Sequence, residues 1–179
     1  MTDLVIRPAA VEDAEAMFAL IQAHLSEGRL LPRELSELRR HADRFLVAYL
    51  PFDSAQSGPD ENTQGGPGEL VACAELAPLS SRVAEVRSLV VKSGVRGVGL
   101  ATRMVDSIRT EAKSRGYETL CAFTHDARFF VRQNFSIVPH TWLPEKIATD
   151  CLSCPLFRKC EQHAMMLPLI ELPRYAAVA

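Results

Sequence analysis

Three groupings of side chains in this sequence are spaced to do chemistry. The first is the run Val95-Arg96-Gly97-Val98-Gly99-Leu100-Ala101-Thr102, between a strand-like and a helix-like segment. The opening turn of a helix has backbone N–H groups without partners and a partial positive charge. Glycines let that backbone approach an anion closely, so the natural guest is a phosphate or pyrophosphate. A plain turn, with glycines for backbone freedom alone, fits the same spacing. A dinucleotide fingerprint fits poorly, because residues 92–96 separate the strand from Gly97 and Thr102 stands where a third Gly or Ala belongs. A Walker loop fails for want of a following Gly-Lys-Ser/Thr. The second grouping is Glu85 and Arg87, which lie two residues apart in a strand and so share one sheet face. The third is Cys151-x-x-Cys154, then Cys160-x-x-His163, a set of soft ligands suited to a closed tetrahedral zinc site that would pin a proline-rich tail. The Cys154–Cys160 spacing is short for a standard finger, and free structural thiols or a redox-labile pair are the other readings.

Hydrophobic periodicity says which elements position these groups. Residues 4–7 read as a strand closed by Pro8. Met17, Phe18, Ile21 and Leu25 recur at helical spacing over 11–25, with acids in the first turn and Gly28 as the stop. Leu35, Leu38, Ala42 and Phe45 predict a second helix from about Pro32 to Asp43. Residues 45–50, 69–77, 84–92, 119–124 and 135–138 read as strands. A helix over 98–114 is expected to turn Val98, Ala101, Val105, Ile108 and Ala112 to the core, and a short helix is expected near 126–133. Residues 164–170 predict a last strand, which Pro168 would confine to an edge. The Ser-, Gly-, Pro- and Asn-rich stretch 53–68 is expected to be a flexible loop, and 143–163 a cysteine-rich tail, of one domain over 1–172. The resulting α/β order is a mixed sheet, antiparallel in its first half with crossovers later.

Composition bounds what such a chain can do. With 20 Lys+Arg against 22 Asp+Glu it lacks the cationic footprint of a nucleic-acid wrapper. No apolar run approaches the ~20 residues of a membrane span. The first residues carry no basic region leading into an apolar stretch, and five cysteines without such a leader point to reduced thiols in a cytoplasmic protein. Cys73 and Cys121 stand in apolar strands and read as small core residues.

At the glycine run the chain resembles the GNAT acetyltransferases, whose signature is Gln/Arg-x-x-Gly-x-Gly/Ala and which Arg96 through Ala101 match. The element order is similar over residues 4–138. The resemblance implies the GNAT fold, a central mixed, mostly antiparallel sheet flanked by helices. It also implies that Arg96, Gly97, Val98, Gly99, Leu100, Ala101 and Thr102 hold the pyrophosphate of acetyl-CoA, and that Leu89, Val90 and Val91 offer backbone groups to its pantetheine arm. Three further stretches look like the short, single-domain N-acetylglutamate synthases: Leu30-Leu31-Pro32-Arg33 through Leu38 and Phe45-Leu46-Val47; Ala84-Glu85-Val86-Arg87-Ser88-Leu89-Val90-Val91; and Leu143-Pro144-Glu145-Lys146 through Cys151, Cys154 and Cys160 to Met165.

That resemblance implies transfer of the acetyl group to the α-amine of an amino acid, with L-glutamate, at the opening of arginine biosynthesis, as the first candidate and glutamine as the second. Glu85 occupies the family's general-base position, taking the ammonium proton directly or through water before direct attack in a ternary complex. Arg33 and Arg87 are candidate forks for the substrate carboxylates; an ion pair on the surface is the other reading of each arginine, and a plain pairing with Arg87 or a neighbour that of Glu85. The partner is then a small molecule, with a homo-oligomer allowed. One departure stands out. The family's Tyr-x-x-x-Gly-Phe aligns with Phe130 at the Tyr and Asn134 at the Gly, and a phenyl ring has no proton to give the departing thiolate. Two other functions fit the residues: a GNAT enzyme for another small amine or a protein N-terminus, and a non-enzymatic acyl-CoA sensor whose cysteine tail answers to metal or oxidation.

Overall fold

The computed structural model describes residues 4–28, 30–50 and 68–170. Apart from Gly68, the loop expected over 53–68 lies outside the described residues, as do the last two residues of the expected domain. The main elements are β1 (Val5–Pro8), α1 (Ala14–His24), α2 (Leu35–Arg40), β2 (Phe45–Leu50), β3 (Glu69–Pro78), β4 (Val83–Val91), α3 (Leu100–Ser114), β5 (Thr119–Thr124), α4 (Ala127–Arg132), β6 (Ser136–Val138) and β7 (His163–Pro168). The strands form one sheet in the order β1-β2-β3-β4-β5-β7-β6. β1, β2 and β3 run antiparallel, β4 and β5 are parallel, and β7 is antiparallel to both β5 and β6. The mixed, mostly antiparallel sheet is the one the sequence predicts.

Two compact units share these elements, and each has its own core. The first holds the described residues up to Leu76 together with Ser88–Ile108. Phe45 and Val47 alternate onto the core face of β2 and pair with Glu75 and Cys73 of β3, so Glu75 points the same way as the buried apolar side chains. Met17 and Ile21 of α1 and Leu38 of α2 pack onto that face. Asp13 fixes the start of α1: it takes two hydrogen bonds from Arg7 (2.7 and 2.8 Å), one from Tyr49 Oη (2.6 Å) and one from the Ala10 amide (2.7 Å). Burial pushes the Asp13 pKa up, but these donors outweigh it and hold the carboxyl below its ordinary value. The second unit holds Ala77–Arg87 and the described residues from Arg109 on, around Val83, Cys121, Val138, Leu143 and Ala164.

Three expectations need correction. Helix α2 is shorter than the predicted 32–43, because Glu34 is still extended (φ −87°, ψ 138°) and the segment after Pro32 carries Arg33 into the first unit's interior. Val98 does not face the core. Helix α3 begins at Leu100, and Val98 sits 73% exposed in the turn before it, while Leu100, Met104, Val105, Ile108 and Ala112 are buried. Finally, β7 is an interior strand. Pro168 is tolerated because the three-residue β6 covers only Ala164–Met166, which leaves the proline beyond its reach.

Candidate active site

The first unit carries the glycine turn. Gly97 and Gly99 have φ of +86° and +80°, and a Cβ on either would meet nothing within 4 Å, so backbone conformation rather than packing asks for glycine. The first helical hydrogen bond of α3 runs from the Arg103 amide to Gly99 O at 3.1 Å, which directs the preceding first-turn amides out of the helix start. Arg96 braces the turn: its Nε donates to Val91 O (2.9 Å) and its Nη2 to Glu27 (2.8 Å). Leu89, Val90 and Val91 lead into it as the end of β4, with the last two buried. Just before them Ser88 holds φ +50°, a left-handed conformation that a strand residue adopts at a cost.

Arg33 lies in the same unit, its side chain 8% exposed. Its Nη2 stands 2.9 Å from Oε2 of Glu75 and 3.0 Å from Oε1 of Glu37, and its Nη1 lies 3.5 Å from Ser88 Oγ. Glu75 is 1% exposed. The Arg33–Glu75 contact is close but off alignment, since neither Arg33 Nε nor Glu75 Oε2 makes a geometrically satisfied hydrogen bond among the described residues. Sequence patterning missed Glu75 because it stands in a strand whose interior is otherwise apolar, and that interruption was the available signal.

The second unit carries Glu85, 3% exposed, with Arg87 on the same strand face as expected. Arg87 donates to Glu85 Oε2 from Nε (3.0 Å) and Nη2 (2.6 Å) and also meets Asp150. Lys146 Nζ donates to both Glu85 oxygens (2.9 and 2.8 Å) and to Asp150 Oδ2 (2.8 Å), and lies 5.1 Å over the Phe123 ring. Phe123 stacks in turn on His140. Two anions and two cations thus close a four-membered network. Burial pushes the Asp150 pKa up, but Lys146 and Arg87 outweigh it and hold the carboxyl low. The sequence reading, which took 143–163 as a tail, missed Lys146 and Asp150; their i, i+4 spacing was the available signal for the pair, but nothing in the sequence marked their meeting with Glu85. Cys121 pairs with Glu85 in the β4–β5 register, and burial, then the Glu85 charge, push its thiol well above the ordinary range. A thiol so raised is a poor nucleophile.

The zinc expectation gains no support from the structure. Among the described residues no group of three or more His, Cys, Asp or Glu side chains could hold a metal ion. Cys160 and His163 are exposed, and His163 is committed to β7 opposite Thr124. Burial pushes the Cys151 thiol up from its ordinary value. The five cysteines are free thiols.

At the family's Tyr position, Phe130 is buried and packs edge-on against Phe129 and Phe135. Asn134 stands in the left-handed region (φ +66°), with its amide bonded to Val131 O and that of Phe135 to Phe130 O. Asn therefore closes α4 as Gly would. No helix among the described residues is long and apolar enough to cross a membrane.

The profile of the Acetyltransferase (GNAT) family matches residues 16–135. An uncharacterized N-acetyltransferase of Chlorobaculum tepidum is 25% identical over 93% of this chain and 97% of its own length. An amino-acid acetyltransferase of Pseudomonas putida is 26% identical over 74% of this chain, a match that spans 27% of that longer protein. Among solved structures, N-acetylglutamate synthase from Neisseria gonorrhoeae, complexed with coenzyme A and N-acetyl-glutamate, superposes with a TM-score of 0.76 at 22% identity. That superposition covers 96% of this chain and 36% of the synthase, and at such identity it shows a shared fold.

Proposed function

The chain belongs to the acetyltransferase (GNAT) family and is an N-acetyltransferase that uses acetyl-CoA, and on that premise we propose that it acetylates the α-amine of a free amino acid. The observation that carries this reading is the pair of left-handed glycines at the start of α3, in the turn that follows residues 92–96 and the strand bearing Glu85 and Arg87. In this reading the amides of Gly97–Thr102 hold the diphosphate of the co-substrate, and the Leu89–Val91 backbone lies along its pantetheine arm. Glu85 takes the proton of the arriving ammonium so that the free amine can attack the thioester carbon. Arg87, 26% exposed, turns its guanidinium from Asp150 to the α-carboxylate of the acceptor. Lys146 keeps the Glu85 carboxylate in place while it does so. Proton supply to the thiolate does not come from Phe130.

The finer form of the reading, glutamate as acceptor and arginine biosynthesis as the setting, rests on the sequence resemblance and on the amino-acid acetyltransferase and N-acetylglutamate synthase relatives. It calls for a second carboxylate grip besides Arg87. Thiol release from acetyl-CoA should be measured with free amino acids, polyamines and a peptide N-terminus. We expect turnover with free amino acids and at least about tenfold weaker CoA binding in Gly99→Val, where a β-branched residue cannot hold φ +80° without strain. Better turnover of a polyamine or a peptide overturns the amino-acid reading. CoA binding without turnover of any amine favours an acyl-CoA sensor.

A further inference from the structure

Arg33 is placed to grip a carboxylate, and the chain supplies one. Its guanidinium is buried against Glu75, which projects from the core face of β3 opposite Phe45, and meets Glu37 one helical turn further on. The three charges sum to −1. Arg33 spans the interval between this acidic pair and Ser88, the left-handed residue next in sequence to Arg87. A substrate carboxylate drawn toward Arg33 would therefore find the fork engaged and two carboxylates facing it. The Glu75 charge cannot swing away to solvent as a surface partner would, because its residue is 1% exposed. An interface selects between ligands by such a repulsive element as much as by its attractive ones.

We propose that Glu75 is a specificity-determining residue: by filling the guanidinium of Arg33 from inside the fold, it restricts the acceptor to amino acids without a side-chain carboxylate. This rests on the amino-acid reading above and, within it, replaces glutamate as the acceptor by glutamine or another amino acid whose side chain carries no carboxylate. Amide isosteres make the comparison clean, because glutamate against glutamine and aspartate against asparagine differ at one atom pair and in charge. The wild-type protein should favour the amide of each pair in kcat/KM by at least about tenfold, an effect below the cost of a like-charge contact in a desolvated site. Glu75→Gln, which keeps shape and removes charge, should narrow that ratio about tenfold or reverse it, mainly through KM of the acidic acceptor. If that variant does not fold, Glu75→Met is read in the same assay, and the wild-type ratio alone still decides. A wild type that prefers the acidic member, or that treats the two alike, overturns the proposal. So does an unchanged ratio in a folded Glu75 variant. Turnover of no amino acid whatever removes the amino-acid reading itself and this refinement with it, a result distinguishable from a wrong ratio.

Discussion

Two buried glutamates, each set against an arginine, divide this protein's labour. Glu75 and Arg33 are both sealed in the first unit, at 1% residue and 8% side-chain exposure, and their contact is not aligned as a full hydrogen bond. Glu85 is nearly as buried, and so is Lys146, which bonds both its carboxylate oxygens at 12% side-chain exposure, but its arginine is not: Arg87 keeps about a quarter of its side chain in solvent and shares its guanidinium with the half-buried Asp150. An ion pair sealed on both sides is costly to break and difficult to exchange, whereas one whose partner reaches water can trade it for a ligand at about 0–1 kcal/mol. The same two residue types thus make a fixed wall in one place and an exchangeable grip in the other. Burial of the partner, rather than of the carboxylate, makes the difference.

The largest expected effect separates the two carboxylates by activity. Glu85→Gln should lower kcat/KM by about 10²–10⁴-fold, the usual contribution of a general base. It should leave a folded protein, because Asp150 still meets both Arg87 and Lys146. A steady-state assay beside a thermal melt checks both halves. Glu75→Gln leaves the base in place, so a fall in kcat with a neutral acceptor comparable to that of Glu85→Gln would break the comparison.

Next comes stability. Arg33→Met strands the Glu75 carboxylate and should cost about 3–5 kcal/mol, read as a fall in the midpoint of denaturant unfolding. The double change Arg33→Met with Glu75→Leu should recover most of it, since an apolar pair of similar volume is often neutral in place of a buried ion pair. Arg87→Met should cost about 1 kcal/mol or less while raising the acceptor KM. Equal losses for the two arginines would show that exposure does not separate them.

The sequence made the glycine turn legible because its chemistry is local: strand, two glycines and helix follow one another, and the left-handed φ values of Gly97 and Gly99 answer to that spacing. The pairing of Glu85 with Arg87 was legible for the same reason, a two-residue step on one strand. Asn134 in place of a glycine was readable too, as asparagine is among the few residues that tolerate its φ. What the sequence concealed was long-range. Glu75 meets Arg33 across forty-two positions and Lys146 meets Glu85 across 61. Such contacts depend on strand register and on the path of the tail, neither of which periodicity reports. The cysteine spacing found no such counterpart: among the described residues no group of three or more possible ligands is set to hold a metal ion, and His163 pairs opposite Thr124 in β7.

The smallest effect concerns acid, and it contrasts the units once more. Asp13 in the first and Asp150 in the second both have carboxyl pKa values held below the ordinary 3.8, in each case against the opposing pull of burial. A carboxyl whose folded value is depressed binds fewer protons folded than unfolded. The stability it contributes is therefore complete above about pH 4 and drains as pH falls through the folded value. Unfolding free energy followed from pH 5 downward should fall in the wild type. Asp13→Asn should flatten that fall more than Asp150→Asn, because Asp13 is 5% exposed and takes four hydrogen bonds, whereas Asp150 is a third exposed and shares its cations with Glu85. An Asp150→Asn variant with the flatter profile would place the stronger acid-sensitive tie in the network around Glu85 rather than at the start of α1.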